Sequence, residues 1–97
     1  MTNTYLKKLS NILEMLHNLD RDLNLVGFND TEKKIYYTIA SNVHNFGKCN
    51  ISDVIESSGF SRSTVYKAIK NFEDHNMVKL SKSNHDRREI YLNLAIS

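Results

Sequence analysis

Ninety-seven residues, 40% hydrophobic and 25% charged, suffice for one compact core but not two, so a single domain over residues 1–97 is expected. No run of 18 apolar residues occurs, and the first sixteen residues mix polar with apolar side chains, which argues against a membrane span or a secretory signal. The net charge of +2 excludes a uniformly basic chain, so any electrostatic footprint must come from local clusters.

The first predicted element carries Tyr5, Leu9, Ile12, Leu16, Leu19, Leu23 and Val26 at alternating steps of four and three. This heptad-like stripe predicts one helix over residues 5–26, and Leu6 and Leu13 widen it. Three heptads are marginal as a free helix, so the stripe must pack against something. Two readings are open. The stripe covers the domain's own core, or it also forms a homodimer seam through Leu9, Ile12, Leu16, Leu19 and Leu23. Nine apolar side chains exceed what so small a core asks of one helix, which favours the seam.

Gly27 interrupts the stripe, and Asn29 or Asp30 is placed to accept from the free amides of a second helix starting near Thr31. Ile35, Ile39, Val43 and Phe46 share its inward face with Tyr36 and Ala40 adjacent, and Gly47 supplies a left-handed residue to end it. Ser52 is a candidate N-cap for a short third helix ending at Ser57 or Ser58, and Gly59 permits a tight turn. Ser61 then caps a fourth helix with Val65, Ala68, Ile69 and Phe72 inward and Arg62, Ser63, Tyr66, Lys67, Lys70 and Asn71 outward. After Asn76 the period changes from 3.6 to 2. Val78 and Leu80 alternate with Lys79 and Ser81, SKSNHD makes a polar turn, and Ile90, Leu92 and Leu94 share one face of a return strand.

Two helices joined by a glycine-containing turn, the second basic outside, form a helix-turn-helix over residues 51–75. With Ile51 as the first of its twenty positions, Gly59 falls at nine, Phe60 at ten, Val65 at fifteen and Ala68 at eighteen, as the motif prefers. Ile55 at position five is larger than usual, and Ser58 at position eight is polar where an apolar residue is usual. A basic hairpin over residues 77–94 follows directly, and within residues 79–88 Lys79, Lys82, Arg87 and Arg88 stand against Asp86 alone. The expected fold is therefore mainly α (α+β): a winged helix-turn-helix of about four helices followed by a two-stranded β-hairpin wing.

From about Leu25 to Leu94 the sequence resembles the multiple antibiotic resistance regulator (MarR) family and the staphylococcal accessory regulators. The wing is the most telling part, since Asp86-Arg87-Arg88 looks like that family's D-R-R signature. The resemblance implies that Asp86 structures the wing through an arginine pairing, while Arg88, or else Arg87, enters the minor groove. A guanidinium suits a narrow minor groove, where the negative potential is enhanced. The family builds its dimer from helices that follow the wing; this sequence ends at Ser97, so the residue 5–26 helix is expected to supply the interface.

On the fourth helix, Ser61 and Ser63 suit phosphate contact and Arg62 suits bidentate reading of a guanine edge. Lys67 and Lys70, like Lys82 in the wing, suit phosphate neutralisation, and Tyr66 serves either base contact or packing. The expected function is a sequence-specific, double-stranded-DNA-binding transcriptional regulator. The alternatives are a winged-helix protein-interaction module, or a plasmid or phage replication or partition protein. No catalytic group, cofactor or metal is expected. His17, His44, His75, His85 and Cys49 lack ligand spacing, and no phosphate loop or nucleophile elbow occurs. Any small-molecule effector is left unassigned. The lone Cys49 fits a reducing compartment, and the cytoplasm is the expected location.

Overall fold

A computed structural model describes residues 2–82 and 89–95. Four helices, α1 (Thr2–Asp22), α2 (Asp30–Phe46), α3 (Ile51–Ser58) and α4 (Arg62–Asp74), precede two strands, β1 (Val78–Lys82) and β2 (Ile90–Leu94). The strands pair antiparallel with Val78 opposite Leu94 and Leu80 opposite Leu92. Asn50 forms an isolated bridge to Tyr91, and the Leu92 amide donates to the Cys49 carbonyl at 2.7 Å, so the segment before α3 extends the hairpin by one short edge. The winged helix-turn-helix architecture expected from the sequence is thus the observed one.

The core lies where α2, α3, α4 and the hairpin meet. Leu25, Ile35, Ile39, Val54, Val65 and Phe72 are fully buried there, with Ile69, Val78 and Leu92 at most 2% exposed. Phe72 is its centre, with the rings of Phe28 and Tyr36 at 5.3 and 5.4 Å in tilted and edge-on contact. Among the described residues the one buried amide side chain, Asn42, donates to the Cys49 sulfur at 3.7 Å.

Several helix ends differ from the expected ones, each because a nearby asparagine does the work. α1 stops at Asp22 rather than running to Val26, because Asn24 takes a left-handed conformation with φ 60°. The Leu25 amide reaches back to the Asp20 carbonyl at 2.6 Å and the Asn24 amide to that of Arg21 at 3.2 Å, the two bonds of a Schellman motif. Gly27 is not the terminator. Asn76, φ 59°, closes α4 the same way, with Met77 bonding to Phe72 and Asn76 to Glu73. α3 is capped by Asn50, whose side chain accepts the Asp53 amide at 2.7 Å, and not by Ser52, which stands inside the first turn. Asn29 and Ser61 cap α2 and α4, and Gly47 and Gly59 take φ 75° and 74° after α2 and α3.

Leaving the core, α1 stands apart from it. Every side chain from Asn3 to Leu19 is exposed, and Asp20 is the one buried residue among the described side chains of the helix. Asp20 accepts a hydrogen bond from the Tyr37 hydroxyl and an ion pair from Lys33 at 3.2 Å, which ties the last turn of α1 to α2. Burial alone would raise the Asp20 carboxyl, but its bonds to Tyr37 and Lys33 outweigh that and hold it below its ordinary value. The Tyr37 phenol is pushed up to about 12, by burial first and then by its bond to the carboxylate. The stripe on α1 therefore does not cover this chain's own core, apart from Leu23, which lies beyond the helix and packs half-buried against it.

Candidate nucleic-acid interface

The outer face of α4 is built from its N-cap outward. Ser61, in extended backbone, accepts the Thr64 amide at 3.2 Å, and its hydroxyl also meets those of Thr64 and Ser63 at 2.8 and 3.2 Å. Capping holds the first turn in place and presents Ser61, Arg62 and Ser63 to solvent at a helix N-terminus, where the dipole favours an anion. One turn on, Tyr66 is 39% exposed and the Arg62 guanidinium lies 6.0 Å over its ring. Lys67 and Lys70 are exposed further along, and Thr64 is half-buried. Among the described residues the only ion pair is Lys33 with Asp20, so no carboxylate neutralises Arg62, Lys67 or Lys70.

The two departures from the motif are both accommodated. Ile55 at position five packs, half-buried, against the core. Ser58 at position eight accepts the Phe60 amide at 3.3 Å, so its hydroxyl supports the turn around Gly59.

One positioning residue escaped the sequence reading. Glu32 accepts the Asn29 amide through one oxygen at 3.0 Å while its own amide donates to the Asn29 side chain at 2.8 Å. Its other oxygen accepts from the Asn71 side chain at 2.6 Å, which ties the start of α2 to the outer edge of α4. Asn71, read as outward, is thereby occupied. The signal was present: an asparagine with glutamate three residues later, ahead of an apolar run, is a capping box. What no pattern carries is the second bond across 39 residues.

Lys82 is exposed at the end of β1, on the strand that leads into the wing tip. Asp86, Arg87 and Arg88 lie outside the described residues. The expected seam residues Leu9, Ile12, Leu16 and Leu19 are exposed together on α1. Among the described residues no three histidine, cysteine or carboxylate side chains are grouped to hold a metal. Cys49 is fully buried, and its thiol is pushed up by that burial, with the Asn42 bond acting the other way. No helix among the described residues is long and apolar enough to cross a membrane.

A family model described as the sugar-specific transcriptional regulator TrmB matches residues 23–94, which covers the whole core, the helix-turn-helix and the hairpin. The chain belongs to the TrmB family of transcriptional regulators. Its family is one of regulators and not of enzymes. The fold of this TrmB-family chain is also that of MarR-type winged helix-turn-helix structures, as the wing resemblance implied. A mutant of S. aureus MepR bound to an oligodeoxyribonucleotide is similar with a TM-score of 0.64 at 19% identity, over 98% of this chain and 67% of that one. The adhesin competence repressor AdcR from Streptococcus pyogenes gives 0.61 at 22% identity, over 92% and 61%. The heme sensor PefR from Streptococcus agalactiae gives 0.59 at 20%, over 98% and 65%. The TrmB-family chain thus spans about two thirds, or less, of these structures. No curated protein matches it in sequence.

Proposed function

We propose that this chain is a sequence-specific, double-stranded-DNA-binding transcriptional regulator that acts as a homodimer in the cytoplasm. α4 enters the major groove. Arg62 reads a guanine edge, Ser61 and Ser63 bind phosphate at the helix N-terminus, Tyr66 holds Arg62 and stacks at the groove wall, and Lys67 and Lys70 neutralise phosphates. Lys82 meets the backbone beside the wing, and Arg88 or Arg87 enters the minor groove, with Asp86 holding the wing. The observation that carries this reading is the uncompensated basic face of α4, held rigidly by the Ser61 cap and the Glu32–Asn71 bond. MepR, similar in fold, is bound to an oligodeoxyribonucleotide in its own structure.

The exposed apolar face of α1, around Leu9, Ile12, Leu16 and Leu19, is the proposed dimer interface, with Leu23 at its margin. A two-fold dimer requires an inverted repeat with half-sites about 10 base pairs apart or a multiple of that. The test is equilibrium binding of a duplex pool against salt concentration, followed by selection of a preferred site. A log-log slope of several units and a palindromic site are expected. Binding no better than a neutral control at low salt refutes the reading and leaves a protein-interaction module.

A further inference from the structure

The apolar face of α1 carries, besides a partner's chemistry, a direction. Tyr5, Leu9, Ile12, Leu16 and Leu19 run down its centre at 38% to 65% exposure, flanked by Leu6, Leu13 and Met15 at 55% to 62%. Eight large apolar side chains exposed on one helix of 21 residues make a patch, not scattered surface residues. They expose on the order of 800 Å² of accessible surface, about what one partner contributes to a standard specific interface. The spacing of four and three is that of a two-helix seam. Charge along the same helix is split. Lys7 and Lys8 stand in the first half, whereas Glu14, Asp20 and Asp22 stand in the second against Arg21 alone.

We infer that two copies of this chain pair α1 against α1 in antiparallel direction, with Ile12 against the partner's Leu16 and Leu9 against the partner's Leu19. This rests on the dimer reading above and adds its orientation and register. In this register Leu9, Ile12, Leu16 and Leu19 each meet an apolar side chain, and Tyr5 falls at the end of the seam beside the partner's Leu23, which is half-buried on its own core. On one flank Met15 meets the partner's Met15 at the two-fold axis, and Lys8 meets the partner's Asp22 at each end. On the other flank Leu13 meets the partner's Leu13. Asp20 is held by its own chain's Tyr37 and Lys33, so Asp22 is the carboxylate free to answer Lys8. A parallel pair would instead leave Asp22 with no cation across the seam and set Met15 beside the partner's Asp20. It would also set Lys8 beside the partner's Leu13. Flanking charges of this kind decide the orientation of paired helices.

The test uses the full chain. Sedimentation equilibrium gives the dimer, and a nitroxide on Asn3→Cys gives the direction by pulsed dipolar spectroscopy, the native Cys49 being fully buried. An antiparallel pair in this register places the two labels about 35 Å apart, from 22 residues at about 1.5 Å of rise, whereas a parallel pair places them within about 20 Å. Lys8→Asp is expected to raise the dimer Kd about three- to tenfold at low salt, and Lys8→Asp with Asp22→Lys to restore it. Labels within about 20 Å, or a double variant no better than the single one, overturn the antiparallel register while leaving the dimer. A monomer throughout tens of micromolar removes the dimer reading and this inference together, without touching DNA binding by α4.

Discussion

Arg62 and Tyr66 stand one helical turn apart, and the ring under the guanidinium restricts where that side chain goes. Restricting a long side chain before it meets a partner lowers the entropy lost on binding, so in the proposed complex both residues would serve the same contact. Arg62→Ala is expected to weaken binding to a selected site by roughly 1–3 kcal/mol and to relax base preference at one position, read by competition titration. Lys67→Ala or Lys70→Ala should instead weaken all sequences alike and lower the salt slope by about 1. Cys49, buried with a raised thiol, should resist thiol reagents at neutral pH except at the rate of unfolding, as followed by a chromogenic disulfide. The outward residues of α4 were legible because a helix period, a serine cap and a run of cations are all local signals. Glu32 was half legible: its capping box is local, but its bond to Asn71 depends on how α2 crosses α4. Arg87 and Arg88 stand only on resemblance.

At the scale of the element, the helices were placed well and their ends less so. The reason is competition between equivalent caps. Asn50 and Ser52 both offer an oxygen to free amides, and the extended conformation of Asn50, paired to Tyr91, decides between them. Asn50→Ala is therefore expected to cost about 1 kcal/mol in stability, and Ser52→Ala a few tenths, by chemical denaturation. The stripe from Tyr5 to Val26 also outruns its helix, since a period in apolar residues continues through a Schellman turn that only the backbone reveals. Leu23 shows the effect plainly: it keeps the spacing of the stripe yet packs inward. Leu16→Asp, on the exposed face, should abolish the dimer at tens of micromolar without lowering the stability of the monomer, read by sedimentation and thermal melting side by side.

For the molecule as a whole, the body and α1 are joined by Asn24, Leu25 and the Asp20–Tyr37–Lys33 cluster. Because the folded Asp20 carboxyl lies below its ordinary value of 3.8, it adds stability that is present above that pH and lost as the pH falls through the folded value. Tyr37, raised from 10.0 to about 12, adds stability that is complete below pH 10 and lost as the pH rises to about 12. Tyr37→Phe should thus flatten the alkaline limb, soften the acid limb, and cost about 1 kcal/mol near neutrality, measured by denaturant midpoints across pH.

That joint has a mechanical meaning. α1 is a lever about 30 Å long, and a pivot of about 10° at its root carries the far end through about 5 Å. In the proposed dimer, the distance between the two α4 helices would then be set at this joint. A bulkier or smaller side chain at Asn24 or Tyr37 would retune which operator spacing is tolerated, leaving the letters read by α4 unchanged.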